Sequence, residues 1–215
     1  DAFFETVSGF TTTGSTILND IESLSHCMHF WRCFTHWIGG MGVLVFVLVL
    51  TSLDKKNTMY LMRAEVPGPE KDKLVPKAMA TARILYEMYF ALTAVEIVLL
   101  IFGGMSPFDS IIHAFSTAGT GGFSNYANSI GQLDSAYIDG VITVFMILFG
   151  INFNLFYLLL LRQFKPVWKN EELRTYLAII ATAIALITWN ITSIYGNPLK
   201  AFRYAAFQVA SIITT

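Results

Sequence analysis

The sequence predicts an all-α polytopic membrane protein built from repeated helix–pore loop–helix units. The first reason is composition: 54% of the 215 residues are hydrophobic and 13% are charged, whereas soluble domains carry about 25% charged residues. The second reason is a set of apolar segments of membrane-spanning length. The third is a short pattern that recurs three times outside those segments, and this pattern bears on function as well as fold.

Four segments are long and apolar enough to cross a bilayer, which takes about 20 helical residues. They lie approximately at Cys33–Leu53, Ile84–Phe102, Tyr137–Leu161 and Tyr176–Tyr195. We therefore expect about four membrane spans.

The recurring pattern is a short apolar stretch that runs into a turn rich in Thr and Gly. Its copies are Asp1–Gly14, Asp109–Gly122 and Tyr204–Thr215. The apolar stretches are shorter than a span and have the length of re-entrant elements. Pro107 and Pro198 stand where two of these short helices should begin. An alignment without gaps superposes Ser8, Ser116 and Ser211, and likewise Thr12, Thr120 and Thr215.

The basic residues divide the chain. Eleven of the fourteen Lys and Arg residues lie in 54–83 and 162–174, and the positive-inside rule places both segments in the cytoplasm. The three repeated loops then lie on the external side. The expected divisions are the end of one pore unit (1–53), a cytoplasmic linker (54–83), a complete unit (84–161), a second cytoplasmic linker (162–175) and the start of a further unit (176–215). Because the chain begins and ends inside the pattern, we expect an internal part of a longer protein.

The turns have the composition of an ion filter. A filter replaces the water shell of an ion with backbone carbonyls, and glycine tolerates the backbone path that this requires. A single turn of this kind would more often be an external loop that closes a helical hairpin, but three copies in register on one side favour a filter. The candidate filter residues are Thr11, Thr12, Thr13, Gly14, Gly119, Thr120, Gly121, Gly122, Thr214 and Thr215.

A second element interrupts the third apolar segment, where Phe149–Asn154 contains one Gly and two Asn residues. Polar groups at membrane depth face a cavity or a partner helix. Gly and Asn also suit close packing between helices. The residues alone leave both interpretations open.

The loops Ser8–Ser15 and Ser116–Phe123 resemble those of the TrkH/KtrB family of bacterial potassium uptake proteins, most closely its TrkH branch. Trp37–Gly42 and the linker residues Arg63–Pro69 share the resemblance, which covers essentially the whole chain. It implies four units in a pseudo-fourfold arrangement around one pore. It also implies K⁺ as the ion at the filter residues, with no other cofactor, and one filter glycine per unit that sets selectivity.

The resemblance further implies a gate, because this family breaks the third unit's inner helix below the filter. The corresponding residues are Gly150, Ile151, Asn152, Phe153 and Asn154. It implies a homodimer in the bacterial cytoplasmic (inner) membrane, with a TrkA-like cytosolic nucleotide-binding subunit at the basic linkers. A net charge of −1 gives no overall signal for nucleic acid. The sequence contains no constellation typical of an enzyme.

Two alternatives stay open. A Na⁺-selective or H⁺-coupled transporter of the same superfamily would carry Ser at one filter position, whereas Gly14 and Gly122 favour K⁺. A haem or metal redox protein would use His29, Cys33 and His36, which share one helical face. Because suitably spaced ligands are missing elsewhere in the sequence, this face is expected to be a half-polar interfacial stretch.

Three charged residues near the apolar segments invite a role. Arg32 could contact an external ion or lipid, although interfacial snorkelling is favoured. Glu87 lies four residues after Arg83, which predicts an ion pair on one helix. Glu96 is an acid within a span and is expected to face another helix or a partner subunit.

Overall fold

The structure, a computed structural model, describes residues 1–42 and 71–214, and only the backbone of 71–82 and of Asn154. These residues form helices joined by loops, with no strand among them. The helices are α1 (Ala2–Phe10), α2 (His26–Gly40), α3 (Lys71–Phe102), α4 (Pro107–Ala118), α5 (Ala136–Phe149), α6 (Phe153–Leu160), α7 (Phe164–Lys169), α8 (Glu171–Tyr195) and α9 (Pro198–Ile213), and a 3₁₀ turn lies at Ser129–Gln132.

The short helices α1, α4 and α9 are the apolar parts of the recurring pattern. As predicted, Pro107 and Pro198 occupy the first turns of α4 and α9. The residue before each proline caps its helix: the Ser106 hydroxyl accepts the backbone N–H of Asp109, and the Asn197 side chain accepts that of Leu199. These caps satisfy N–H groups that a helix start leaves unpaired.

Two helices of the described residues are long and apolar enough to cross a membrane, namely Arg83–Phe102 within α3 and the whole of α8. Both contain a predicted span. The first predicted span is described only as far as Gly42, because its residues 43–53 lie outside the described part of the chain.

The third predicted span, Tyr137–Leu161, is not one continuous helix. Helix α5 ends at Phe149 and α6 begins at Phe153. The backbone N–H groups of Gly150 and Ile151 still bond to the last turn of α5, at 3.0 and 3.1 Å. The break therefore lies within Phe149–Asn154, the segment whose Gly and Asn residues interrupt the apolar sequence.

The two predicted linkers contain helix. Residues 71–83 continue directly into α3, and 162–175 includes α7 and the first turn of α8. Residues 54–70 of the first linker lie outside the described part. Both long helices thus begin earlier than the apolar segments that predicted them, because charged and polar residues are compatible with a helix once it leaves the apolar region.

The packing of the helices repeats along the chain. Each short helix packs on the long helix that precedes it, α4 on α3 and α9 on α8. The helix that follows a short helix also packs on the next short helix, α2 on α4 and α5 on α9. This arrangement brings the ends of α1, α4 and α9, and therefore the repeated loops, into neighbouring positions.

Candidate functional site

The two complete loops follow the same backbone path. Thr12 and Thr120 both have a φ angle of 55°, and two residues later Gly14 and Gly122 have φ angles of 75° and 82°. A β-branched residue rarely adopts a positive φ angle. Its occurrence at the same position of both loops shows that the loop surroundings impose this conformation.

The same hydrogen bonds close both turns. The backbone N–H groups of Thr13 and Gly121 donate to the carbonyls of Ser8 and Ser116, at 3.0 and 3.1 Å. These serines are the aligned residues of the sequence repeat. The alignment made on sequence is thus also a structural equivalence.

The third copy begins in the same way. The backbone N–H of Thr214 donates to the Ala210 carbonyl at 3.2 Å, as that of Thr11 donates to Val7 at 2.9 Å. The hydroxyl groups of Thr214 and Thr11 donate to the same two carbonyls, both at 2.7 Å. Thr215, the last predicted filter residue, lies outside the described part.

The two complete loops touch each other. A Cβ atom added at Gly14 would overlap the carbonyl group of Gly121, whereas one added at Gly122 would meet open space. Gly122 lines a cavity of about 380 Å³, together with Thr120, Gly121 and Thr214. Predicted filter residues from the second and third copies therefore surround one space.

A carboxylate braces the first loop from within α1. Glu5 accepts hydrogen bonds from the Thr16 hydroxyl at 2.7 Å and from the Ile17 backbone N–H at 2.9 Å. The Thr16 hydroxyl also accepts the N–H of Leu18 at 3.2 Å. The far end of the loop is thereby tied back to its own short helix.

A histidine braces the second loop at the equivalent place. His113 Nδ1 lies 2.8 Å from the Asp109 backbone carbonyl, and Nε2 lies 2.9 Å from the Ser124 hydroxyl. A carbonyl only accepts, so Nδ1 carries the proton, and in the neutral imidazole Nε2 is then the acceptor. The Ser124 hydroxyl therefore donates to His113, as Thr16 donates to Glu5.

Arg32 supports both loops from α2, which corrects the expectation of snorkelling. It is 4% exposed and pairs with Glu5 at 3.0 Å. Its guanidinium carbon lies 4.2 Å from the ring centre of Phe123, the residue after Gly122. A cation over an aromatic face is attracted by the ring quadrupole. One buried side chain thus connects the brace of the first loop with the second loop.

The helical face of His29, Cys33 and His36 is buried, with Cys33 and His36 against the second loop, and is not an interfacial stretch. All three side chains are buried. His36 stacks on Phe123 with ring centres 4.0 Å apart, and a Cβ atom on Gly121 would overlap the His36 ring. Cys33 donates to the Phe123 carbonyl at 3.8 Å. In the part of the chain that the structure describes, no cluster of three potential metal ligands occurs.

Two glycines of the Trp37–Gly42 motif let α2 fit between the loops. A Cβ atom on Gly39 would come within 2.9 Å of the Thr12 methyl group, and one on Gly40 within 2.8 Å of the Gly119 Cα atom. Only glycine fits a helix this closely to both chain segments. The motif is therefore a contact between consecutive units.

The second loop is further tied on its outer side. The Asp109 carboxylate accepts from the Asn125 amide at 2.8 Å and from the Tyr126 hydroxyl at 3.0 Å. Burial raises the pKa of Tyr126, and its hydrogen bond to the Asp109 carboxylate raises that pKa further. The phenol thus stays protonated as a donor over the physiological pH range.

The predicted gate residues lie beside the third copy. A Cβ atom on Gly150 would lie 2.9 Å from the Thr214 methyl group. The Asn152 side chain donates to Glu172 of α8 at 3.3 Å, and Phe153 stacks on Phe149 across the break with ring centres 6.3 Å apart. Ile151 is half-buried, and Asn154 is described by its backbone alone.

Comparison with known proteins identifies the family. The model of the TrkH family, described as cation transport protein, matches residues 1–211. The chain belongs to the TrkH family. It is 40% identical over 220 aligned positions to the Trk system potassium uptake protein TrkH of Salmonella typhimurium, and 36% identical over 217 to TrkG of Escherichia coli K12. These relatives are named as potassium uptake proteins of a Trk system, not as enzymes.

The fold also matches a solved TrkH structure. The crystal structure of the potassium transporter TrkH from Vibrio parahaemolyticus superposes with a TM-score of 0.79 at 32% identity, over 99% of this chain and 43% of that one. The chain likewise spans 45% of the length of the Salmonella and Escherichia relatives. The all-α fold class predicted from the sequence is confirmed, and the assignment to TrkH agrees with a membrane location.

The sequence alone did not identify the residues that brace the loops, Glu5 and His113, although the repeat contains a signal for them. Glu5 and His113 each stand three residues before the aligned serine, and Gln208 stands at the same position of the third copy. A polar residue at one position of three otherwise apolar stretches is the pattern that could have identified the brace.

Glu87 and Glu96 of α3 have different surroundings. Glu87 pairs with Arg83 at 3.0 Å on the exposed surface, as predicted. Glu96 is fully buried and faces α4, where Thr117 is its polar neighbour. The position of Glu96 thus agrees with the expectation that it faces another helix.

Proposed function

We propose that this chain forms part of a potassium uptake pathway across the bacterial cytoplasmic membrane. In this proposal the backbone carbonyls of residues 11–14, 119–122 and 214–215 replace the water shell of K⁺. The C-terminal ends of α1, α4 and α9 point their negative dipole ends at the ion. The named relatives are potassium uptake proteins, which supports K⁺ as the ion.

The observation that carries the proposal is the pair of matched loops. Thr12 and Thr120, and then Gly14 and Gly122, repeat the same positive φ angles, and Gly14 lies against Gly121. Backbone that is not helical is tolerated at membrane depth only inside protein or around a wet cavity. Two non-helical loops of matching backbone conformation, in contact with each other, are what a pore with repeated quadrants requires.

We place the gate at the interruption between α5 and α6, residues 150–154. Supporting this, Gly150 lies beside Thr214 at the start of the third loop. A helix that is interrupted changes conformation at the interruption at lower cost than a continuous helix does. A movement there would alter the path next to the filter.

The same proposal includes the setting of the pore. The basic segments 54–83 and 162–175 face the cytoplasm by the positive-inside rule, so the repeated loops face outward. The protein acts as a homodimer, and a TrkA-like nucleotide-binding subunit docks on the basic segments. The relatives' membership of a Trk system supports a multi-component assembly.

Substitution of the filter glycines tests this function. The protein is expressed from its complete reading frame in cells that lack potassium uptake, and growth at low K⁺ is measured for Gly14→Ser, Gly122→Ser and the control Gly140→Ser. Both loop variants should abolish growth, because a side chain is strained at φ angles of 75° and 82°. Gly140 lies in α5 with open space around it, so its variant should grow normally.

Growth and ion uptake distinguish the filter proposal from the Na⁺-selective and H⁺-coupled alternatives. Normal growth of both loop variants would refute the filter assignment. Uptake of Na⁺ in place of K⁺ by the unmodified protein would identify the Na⁺-selective alternative. A rate of K⁺ uptake that follows the proton gradient at constant membrane potential would identify the H⁺-coupled one.

A further inference from the structure

Two helices end in the same way beside a loop. The Tyr89 hydroxyl of α3 donates to the Trp37 carbonyl in the last turn of α2 at 3.0 Å. The Tyr176 hydroxyl of α8 donates to the Ile147 carbonyl in the last turn of α5 at 3.2 Å. A helix end leaves its last carbonyls without helical partners, and in both places a tyrosine of the next long helix supplies the donor.

The two contacts occupy equivalent places. Each accepting carbonyl lies three residues before a glycine, Gly40 in α2 and Gly150 after α5. A Cβ atom on Gly40 would contact the Tyr89 hydroxyl and Gly119, the first residue after α4. A Cβ atom on Gly150 would likewise contact the Tyr176 hydroxyl and Thr214, the first residue after α9. Each tyrosine therefore holds a helix end against the neighbouring loop.

The contacts differ in how firmly they are held. Tyr89 is 1% exposed. Its ring packs against Trp37, Phe149 and Phe153, with ring centres 5.5 to 5.8 Å apart. Tyr176 is half-buried, and its described contact is the single hydrogen bond together with Gly150. The contact at the end of α2 is thus fixed, and the contact at the interruption is the one that can open.

A second side chain of α8 reaches across the interruption. Glu172 stands one turn before Tyr176, on the same face of the helix, and accepts from Asn152 at 3.3 Å. The position four residues before Tyr89 is Leu85, whose apolar side chain offers no such acceptor. The segment between α5 and α6 is therefore held at two places, at Ile147 before the break and at Asn152, the last residue of the break.

We infer that Tyr176 and Glu172 are positioning residues that hold the interruption between α5 and α6 in the conformation of this structure. This inference rests on the proposed function in so far as the interruption is the gate. Both residues lie in the first turns of α8, directly after α7, where Glu172 belongs to the basic segment 162–175 and Tyr176 follows it. A displacement of that segment would therefore pull both contacts at once, and release would leave the interruption free to move away from Thr214.

Accessibility of the interruption tests this directly. Ile151→Cys is introduced together with Cys27→Ser, because Cys27 is exposed and Cys33 is buried. The rate of modification by a membrane-impermeant thiol reagent is measured in the purified full-length protein. Loss of one hydrogen bond should raise this rate roughly two- to tenfold in Tyr176→Phe, with a smaller increase in Glu172→Ala, whose bond is longer and exposed.

The chain offers a matched control for each variant. Tyr195→Phe removes an exposed hydroxyl at the other end of α8, and Glu171→Ala removes a carboxylate from the same first turn as Glu172. Neither control should change the modification rate. An unchanged or slower rate in Tyr176→Phe, or an equal increase in Tyr195→Phe, would overturn the inference.

The rate of K⁺ uptake distinguishes a positioning role of Tyr176 from a merely structural one. In cells, Tyr176→Phe should raise the initial rate of K⁺ uptake about as much as it raises the thiol modification, with the preference for K⁺ over Na⁺ unchanged. A merely structural role would lower the melting temperature and uptake together, and would refute the inference. If the unmodified protein carries no K⁺, the proposed function fails, while the thiol measurement still decides whether the residues hold the interruption.

Discussion

The loops after α1 and α4 are braced by equivalent residues of different charge. Glu5 accepts from a hydroxyl eleven residues later, and so does His113. In both loops that hydroxyl also accepts a backbone N–H two residues further on, at 3.2 Å in the first loop and 3.0 Å in the second. The pattern of donors and acceptors is therefore the same, and only the acceptor's charge differs.

The difference in charge has a structural consequence. A buried carboxylate is unfavourable without a partner, and Arg32 supplies the cation at 3.0 Å from Glu5. His113 is neutral with a proton on Nδ1, so the second loop needs no cation of its own. The loop thus requires a hydrogen-bond acceptor at this position, and a charged acceptor requires a buried cation beside it.

Of the substitutions that test this comparison, removal of Arg32 should cause the largest loss of stability. Arg32→Ala leaves Glu5 buried without its cation, and breaking one side of a buried ion pair costs about 3–5 kcal/mol of unfolding free energy. Thermal unfolding in detergent measures the loss. Arg83→Ala is the control, because its exposed pair with Glu87 contributes about 0.3–0.5 kcal/mol. Equal effects of the two variants would show that Arg32 does not support the brace.

The course of the chain was more predictable from sequence than the brace. Pro107, Pro198 and the aligned serines predict where the short helices and loops lie, because these signals are local. The partner of Arg32 was not predictable, since Glu5 lies 27 residues away and only the packing of α1 on α2 brings them together. An arginine at the edge of an apolar segment usually snorkels to the interface, and this tertiary contact overrides that preference.

The candidate filter residues illustrate the same limit. Thr12, Gly14, Thr120 and Gly122 were identified from the repeat, because composition reports on the backbone conformation that a loop needs. Their supports were not identified, since His36 contacts Gly121 and Phe123 from α2, and only the packing of the helices creates that contact. Sequence thus predicts what a loop is made of, while the structure is needed to show what holds it.

Replacement of each acceptor by glutamine should have the next largest effect, and the loss of stability should differ between the two loops. Glutamine stands at the equivalent position 208 of the third copy and can accept the loop hydroxyl. Glu5→Gln leaves the Arg32 cation buried without a counter-charge, so we expect a loss of about 3 kcal/mol. His113→Gln changes no charge and should cost about 1 kcal/mol or less.

The same unfolding measurement compares these variants, with growth at low K⁺ as the functional readout. If His113→Gln costs as much as Glu5→Gln, then the charge of the brace is not what distinguishes the loops, and the histidine ring contributes mainly through its packing on Tyr126.

Removal of the hydroxyl groups should have a smaller effect than removal of the Arg32 cation and should reverse the ranking of the loops. After Thr16→Val, Glu5 keeps the Ile17 N–H and Arg32 as partners, so we expect a loss of about 1 kcal/mol. After Ser124→Ala, His113 Nε2 loses the hydrogen-bond donor that it has in this structure. An unsatisfied buried acceptor costs about 1–3 kcal/mol, so the second loop should suffer more. A charged brace with several donors thus tolerates the loss of one bond but not of its cation, whereas the neutral brace depends on one hydroxyl. Equal losses in the two loops would refute this division.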